Sequence, residues 1–132
     1  MLKFRFIQQR DYFDLISSNG LTIYEADHEK VIKLFRKFYV ALKPGGTLVT
    51  STITPAPSSE NDQLSEWDLT KISPQILHLQ KIVFGEIIQA AWQISRSTQQ
   101  IQAMLQEIGY INIQVLKDKA GMFPTIVARR PI

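Results

Sequence analysis

The chain has 132 residues, 45% of them hydrophobic and 20% charged, with a formal net charge of +3 at pH 7. That size and balance predict one modest globular domain over 1–132 and exclude global disorder. The sequence has no cysteine and only two histidines, His28 and His78, which excludes a disulfide scaffold, a thiolate metal site, a cysteine nucleophile and a histidine-rich metal cage.

Lysine and arginine are scattered among acids, so no nucleic-acid footprint is read. No apolar run approaches the roughly 20 residues of a membrane helix. The opening MLKFRFIQQR has no long apolar core of the signal-peptide kind, and a cytoplasmic protein is expected.

Leu2 to Ile7 alternates apolar and basic residues, the period of a strand. Tyr12 to Ser18 is short, mostly apolar and bounded by polar residues, which predicts a buried parallel strand ending at an Asn19-Gly20 turn. From about Ala26 to Leu42 the period becomes helical. Val31, Ile32, Leu34, Phe35, Phe38, Tyr39 and Leu42 share one face, and Lys30, Lys33, Arg36 and Lys37 cover the other. Asp27 and Glu29 complement the dipole of its first turn. Lys43-Pro44-Gly45-Gly46 predicts a stop, and Thr47 to Thr52 a second core strand.

Thr54 to Ser65 is rich in proline and serine and predicts a long loop, with mobility expected over 54–70. Ser73-Pro74 to about Ile94 reads as helix with a break near Gly85. Ser97 or Thr98 is a candidate N-cap for a helix that runs to Ile108 and ends at Gly109. Ile111 to Leu116 and Thr125 to Ala128 predict two strands joined by a turn at Asp118 to Gly121, close enough to form an antiparallel hairpin. A strand, one helical crossover and a strand require a parallel pair, so the predicted class is α/β with a mixed sheet.

Tyr12-Phe13-Asp14-Leu15-Ile16-Ser17-Ser18-Asn19-Gly20 resembles the fourth strand of a class I S-adenosylmethionine-dependent methyltransferase. Leu42-Lys43-Pro44-Gly45-Gly46-Thr47-Leu48 resembles the turn before that family's fifth strand, and Thr98 to Arg129 resembles its tail of helix, Gly-Tyr, strand six, short turn and strand seven. The resemblance implies a partial Rossmann-like, doubly wound sheet made of strands four to seven, with the last strand antiparallel. It covers about Tyr12 to Arg129. The family's glycine-rich Gly-x-Gly loop and the acidic residue that holds the ribose have no counterpart here. The chain therefore resembles the C-terminal half of the domain, a truncated form, with Leu2 to Ile7 as a remnant of strand three.

The resemblance implies S-adenosylmethionine as cofactor and a small-molecule methyl acceptor. Ser18, Asn19, Gly20 and Leu21 would lie nearest the cofactor. Tyr24, Thr52, Thr54, Trp67, Met122 and Phe123 would shape the substrate side, with Asp68 in the same loop as Trp67. No catalytic residue is assigned, and no metal is expected. Each residue also has a plainer reading. Asn19-Gly20 is a common turn pair. Tyr24 suits packing, Trp67 suits pinning a loop, and Met122 and Phe123 suit core filling. His28 is either a base or a solvated residue of the first helical turn, and His78 reads as structural. Without a neighbour on its outer side, the strand at 12–18 would be an exposed apolar edge. Cover by Leu2 to Ile7 or by a symmetric homodimer is expected. The alternative to an enzyme is a non-catalytic fragment or interaction module that needs a partner half.

Overall fold

Strand β1 (Phe13–Ser18) and strand β2 (Leu42–Ser51) pair in parallel, joined by the single crossover helix α1 (His28–Ala41). The computed structural model describes residues 9–57, 65–87 and 94–132, apart from the side chain of Phe84. The predicted strand at Leu2–Ile7 and part of the predicted loop and helix, 58–64 and 88–93, lie outside the described residues.

Helix α1 starts where the chemistry of its first turn asks for it. The Asp27 carboxylate accepts the Glu29 amide at 2.9 Å, satisfying one of the free donors of the first turn. Its buried stripe is Val31, Ile32, Phe35, Phe38 and Ala41. The stop expected at Lys43-Pro44-Gly45-Gly46 is not a free turn. The chain passes from α1 directly into β2 at Leu42, which stands opposite Phe13, and the next paired residue is Thr47 opposite Leu15. Residues 43–46 are thus a bulge inside β2. Glycine is required there: Gly45 has φ of +80°, and a Cβ on Gly46 would come within 2.8 Å of the Lys43 carbonyl.

After β2 comes helix α2 (Pro74–Lys81), which runs on as a π-helical turn over Ile82–Ile87 instead of breaking at Gly85. Helix α3 (Thr98–Ile108) is closed at its start by a reciprocal capping box between Ser97 and Gln100, and at its end by Gly109 at φ of +116°. Strands β3 (Ile111–Leu116) and β4 (Thr125–Arg129) form the expected hairpin.

The sheet order is β1-β2-β4-β3, with β4 antiparallel to both of its neighbours. Helices α1 and α3 pack over one face. Leu48, Ile126 and Ala128 from the sheet meet Phe35, Phe38, Ile101 and Leu105 from the helices in one buried cluster. The Tyr110 hydroxyl donates to the Phe35 carbonyl at 2.9 Å inside that core. Strand β1 departs from its expected burial. Among the described residues it is the edge of the sheet, and Tyr12 and Leu15 are each 58% exposed. The apolar run there is matched to a sheet interior, and no neighbour covers its outer side in the described residues.

Candidate functional site

The carboxyl ends of β1 and β2 and the amino end of β4 meet at one edge of the sheet, because Ser51 is registered opposite Thr125. In doubly wound sheets that edge is where ligands bind. Gly20 turns the chain at the end of β1 with φ of +68°, leading into a 3-10 turn over Leu21–Tyr24. The turn is tied to β2. The Gly20 amide donates to Ser51 Oγ at 2.9 Å, and Ser51 Oγ donates to Asn19 Oδ1. Thr50 Oγ1 donates to the Ser18 carbonyl at 3.0 Å. The hydroxyls of Ser18 and Thr22 are buried and have no partner among the described residues. Buried polar atoms are ordinarily satisfied, so two orphans within one short segment mark this corner.

The second wall follows β2. Thr52 is buried, and its amide donates to the Pro124 carbonyl at 3.4 Å. Thr54 is fully buried. Its amide donates to the Met122 carbonyl at 3.0 Å, and its hydroxyl donates to the Gly121 carbonyl at 2.6 Å. The hairpin turn is shaped by Asp118, whose carboxylate accepts the Phe123 amide at 3.0 Å and the Met122 amide at 3.4 Å. Met122 is buried and Phe123 is 45% exposed. Trp67 Nε1 donates to the Thr54 carbonyl and hydroxyl, so the indole pins the segment before α2 against this wall.

The structure thus brings Ser18, Asn19, Gly20, Leu21, Thr52, Thr54, Trp67 and Met122 to one edge. Tyr24 closes the 3-10 turn with its ring exposed, and Phe123 lies at the rim. His78 is an exposed residue of α2, away from these contacts. Asp14 is exposed and pairs with Lys43 at 3.0 Å, at the opposite end of β1.

Two side chains that organise the edge are not among the residues singled out from sequence. Arg96 is fully buried just before α3, and its guanidinium donates to the Thr22 carbonyl at 2.7 Å, to the Glu25 carbonyl and to His28 Nδ1 at 2.9 Å. Burial lowers its pKa from the ordinary arginine value, and the Glu25 carboxylate opposes that shift. Glu66 accepts the Thr98 amide at 3.0 Å and the Thr98 hydroxyl at 2.6 Å, a carboxylate set at the positive end of α3. An arginine next to a capping serine, and a glutamate inside a polar loop, carry no periodicity that marks them as buried anchors.

No family model matches the sequence, and no curated protein shows significant similarity to it. Solved structures do. A Bordetella parapertussis protein described as a "possible exported protein" matches with a TM-score of 0.85 and 44% identity, over 96% of this chain and 41% of that one. An S-adenosylmethionine-dependent methyltransferase from Mesorhizobium loti matches with a TM-score of 0.58 and 22% identity, over 92% of this chain and 63% of that one. Human N-acetylserotonin methyltransferase, solved with its cofactor, matches with a TM-score of 0.56 and 19% identity, over 90% of this chain and 30% of that one. The last two likenesses show the fold alone. The mixed four-stranded α/β sheet matches part of a methyltransferase fold, and the chain spans less than two thirds of each of these proteins. Among the described residues no helix is long and apolar enough to cross a membrane.

Among the described residues, the corner at Ser18 to Thr22 is where the chain leaves room and unsatisfied hydroxyls for a ligand. Gly20 leaves open space beside the backbone, since a Cβ there would meet only Ile23 Cδ1, at 3.9 Å. The orphaned Ser18 and Thr22 hydroxyls lie in the same segment. The adjacent glycines Gly45 and Gly46 are occupied in the bulge at the far end of β2, and residues 15–24 carry no acid that could hold ribose hydroxyls.

Proposed function

We propose that this chain supplies the acceptor-side half of a class I S-adenosylmethionine-dependent methyltransferase acting on a small-molecule acceptor. The observation that carries the reading is the mixed sheet of order β1-β2-β4-β3, in a fold similar to part of a methyltransferase structure solved with this cofactor. The cofactor, when bound, supplies a methyl group on a sulfonium that leaves by direct displacement. The protein's part is to orient the acceptor and exclude water. Ser18, Asn19, Gly20 and Leu21 form the wall towards the cofactor. Tyr24, Thr52, Trp67, Met122 and Phe123 line the acceptor side, and Thr54, its hydroxyl already committed, holds Trp67 and the hairpin turn in place. A cytoplasmic location belongs to this proposal.

A second reading is favoured by one observation, the apolar edge at Tyr12 and Leu15, which is open among the described residues. In it the chain is a non-catalytic module whose β1 edge pairs with a partner half or a second copy. Isothermal titration with S-adenosylhomocysteine separates the two. Micromolar binding by the purified chain supports the enzyme. No binding at millimolar ligand overturns it for the chain alone and leaves the module.

A further inference from the structure

The segment that turns away from β1 is held by one side chain. Arg96 enters from the chain before α3 and spends all three guanidinium nitrogens on residues 22–28: the Thr22 carbonyl, the Glu25 carbonyl and His28 Nδ1. Backbone contacts run alongside. The Ile94 amide donates to the Ile23 carbonyl at 2.7 Å, and the Arg96 amide donates to the Ile53 carbonyl at 2.8 Å. Arg96 therefore joins the end of β1, the end of β2 and the start of α1 at the candidate site. Two of its acceptors are carbonyls and cannot titrate. The third is an imidazole nitrogen, which accepts only while it carries no proton.

The geometry points to Arg96 as the positioning residue of this edge, with His28 as its pH-sensitive catch: the latch holds while the imidazole is neutral and slackens once it is protonated. Protonation removes the acceptor and sets two cations 2.9 Å apart. The charged group touching the imidazole is Arg96, from the segment before α3. The acids nearest in the chain are Glu25, Asp27 and Glu29. Glu25 Oε1 accepts the Asp27 amide at 3.1 Å, and Asp27 Oδ1 accepts the Glu29 amide at 2.9 Å. Glu66, from the loop before α2, is committed to Thr98 and Lys117. Histidine is the side chain whose charge ordinarily changes between about pH 5 and 8.

The role of the latch in ligand binding rests on the reading of this edge as a methyltransferase site, while the latch itself is tested without ligand. Amide hydrogen exchange, corrected for its intrinsic pH dependence, is measured by NMR at about pH 7.5 and about pH 5.5. Protection at Ile23, Glu25 and Ile94 is expected to fall about tenfold at the lower pH, the size of one charge-assisted hydrogen bond, while amides of α3 and β2 hold steady. His28→Gln keeps a neutral acceptor and is expected to abolish the pH dependence. Arg96→Lys, one ammonium facing three acceptors, is expected to lower protection at both pH values. Protection that ignores pH in the unaltered chain, or the same fall in His28→Gln, overturns the proposal even if Arg96→Lys does not fold. Failure of the S-adenosylhomocysteine titration with the latch signature intact would overturn cofactor binding by the chain alone and leave the latch standing.

Discussion

Trp67 Nε1 donates to both the carbonyl of Thr54, at 3.1 Å, and its hydroxyl, at 2.9 Å. Thr54 also reaches Gly121 and Met122, so three segments far apart in the chain converge on one buried residue: the exit of β2, the stretch before α2 and the β3–β4 turn. A free loop end would not have its indole nitrogen and threonine hydroxyl shared in this way. The contact rigidifies the acceptor side of the proposed site.

Replacing Trp67 with phenylalanine keeps an aromatic body and removes the donor, leaving the Thr54 carbonyl without the indole. The expected loss is about 1–3 kcal/mol of stability, the ordinary penalty for an unmet buried acceptor together with some packing. For a domain of this size that is a fall in Tm of several degrees, read in a thermal melt followed by circular dichroism. An unchanged Tm would mean that the indole contact does not hold the loop.

Gly121 is a sharper test of the same junction. Its φ is +70°, and a Cβ would fall 2.1 Å from the Glu66 carbonyl oxygen, a backbone atom that cannot step aside. Gly121→Ala is expected to cost more than about 2 kcal/mol, because both conformation and space oppose it. Gly85→Ala is the matched control. Nothing lies within 4 Å of the added Cβ, and alanine in a helical segment is expected to be neutral or to stabilise by up to about 1 kcal/mol. Denaturant midpoints of the two variants should move apart; equal shifts would contradict the close approach to Glu66.

Elements with strong local chemistry were legible in the sequence. The periodic stripe of α1, the Ser97 cap, Gly109 and the hairpin turn at Asp118 each follow from side chains that act on their own neighbourhood. What escaped depends on distant partners. Lys43-Pro44-Gly45-Gly46 has the residues of a turn, and turn and bulge need the same glycines. Only the pairing of Leu42 with Phe13 decides between them. The apolar period of Ile76, Leu77 and Leu79 predicts the helix α2 correctly, yet none of its residues is buried among those described. Arg96 looks like any surface arginine until α1 and β2 close around it. Within the candidate site, the corner at Ser18 to Leu21 was legible from its turn chemistry, while the commitment of the Thr54 hydroxyl to the fold was not.

Tyr110 predicts an alkaline weakening of the fold. Its hydroxyl donates to the Phe35 carbonyl in the core, and burial pushes its pKa well above the ordinary tyrosine value, with Tyr39 adding to the rise and Arg130 opposing it. The folded state therefore holds this proton more tightly than the unfolded chain. The stability it contributes is fully present below the unfolded value of about 10 and is lost as pH rises towards the folded one. Urea midpoints should fall steadily above about pH 10. Tyr110→Phe should start about 1 kcal/mol less stable at neutral pH, from the lost hydrogen bond, and then show a shallower alkaline decline. A decline just as steep in the variant would place the alkaline sensitivity elsewhere.

The open edge at β1 predicts where association would occur. Tyr12 and Leu15 are exposed, Asp14 and Lys43 pair beside them, and the strand's outer hydrogen-bonding side has no neighbour among the described residues. An open apolar edge of this kind favours pairing with another strand, and lysine on an edge strand is the usual way proteins prevent it. Leu15→Lys changes the exposed face of β1, so the sheet order and the packing of α1 should survive while pairing is weakened. Sedimentation velocity of the unaltered chain is expected to show a concentration-dependent dimer, and Leu15→Lys is expected to shift it to monomer with an unchanged far-ultraviolet spectrum. If the dimer forms and Leu15→Lys does not weaken it, the contact lies elsewhere on the molecule. If the unaltered chain is monomeric at high concentration, self-pairing through β1 is ruled out, and a partner of different sequence becomes the occupant to seek.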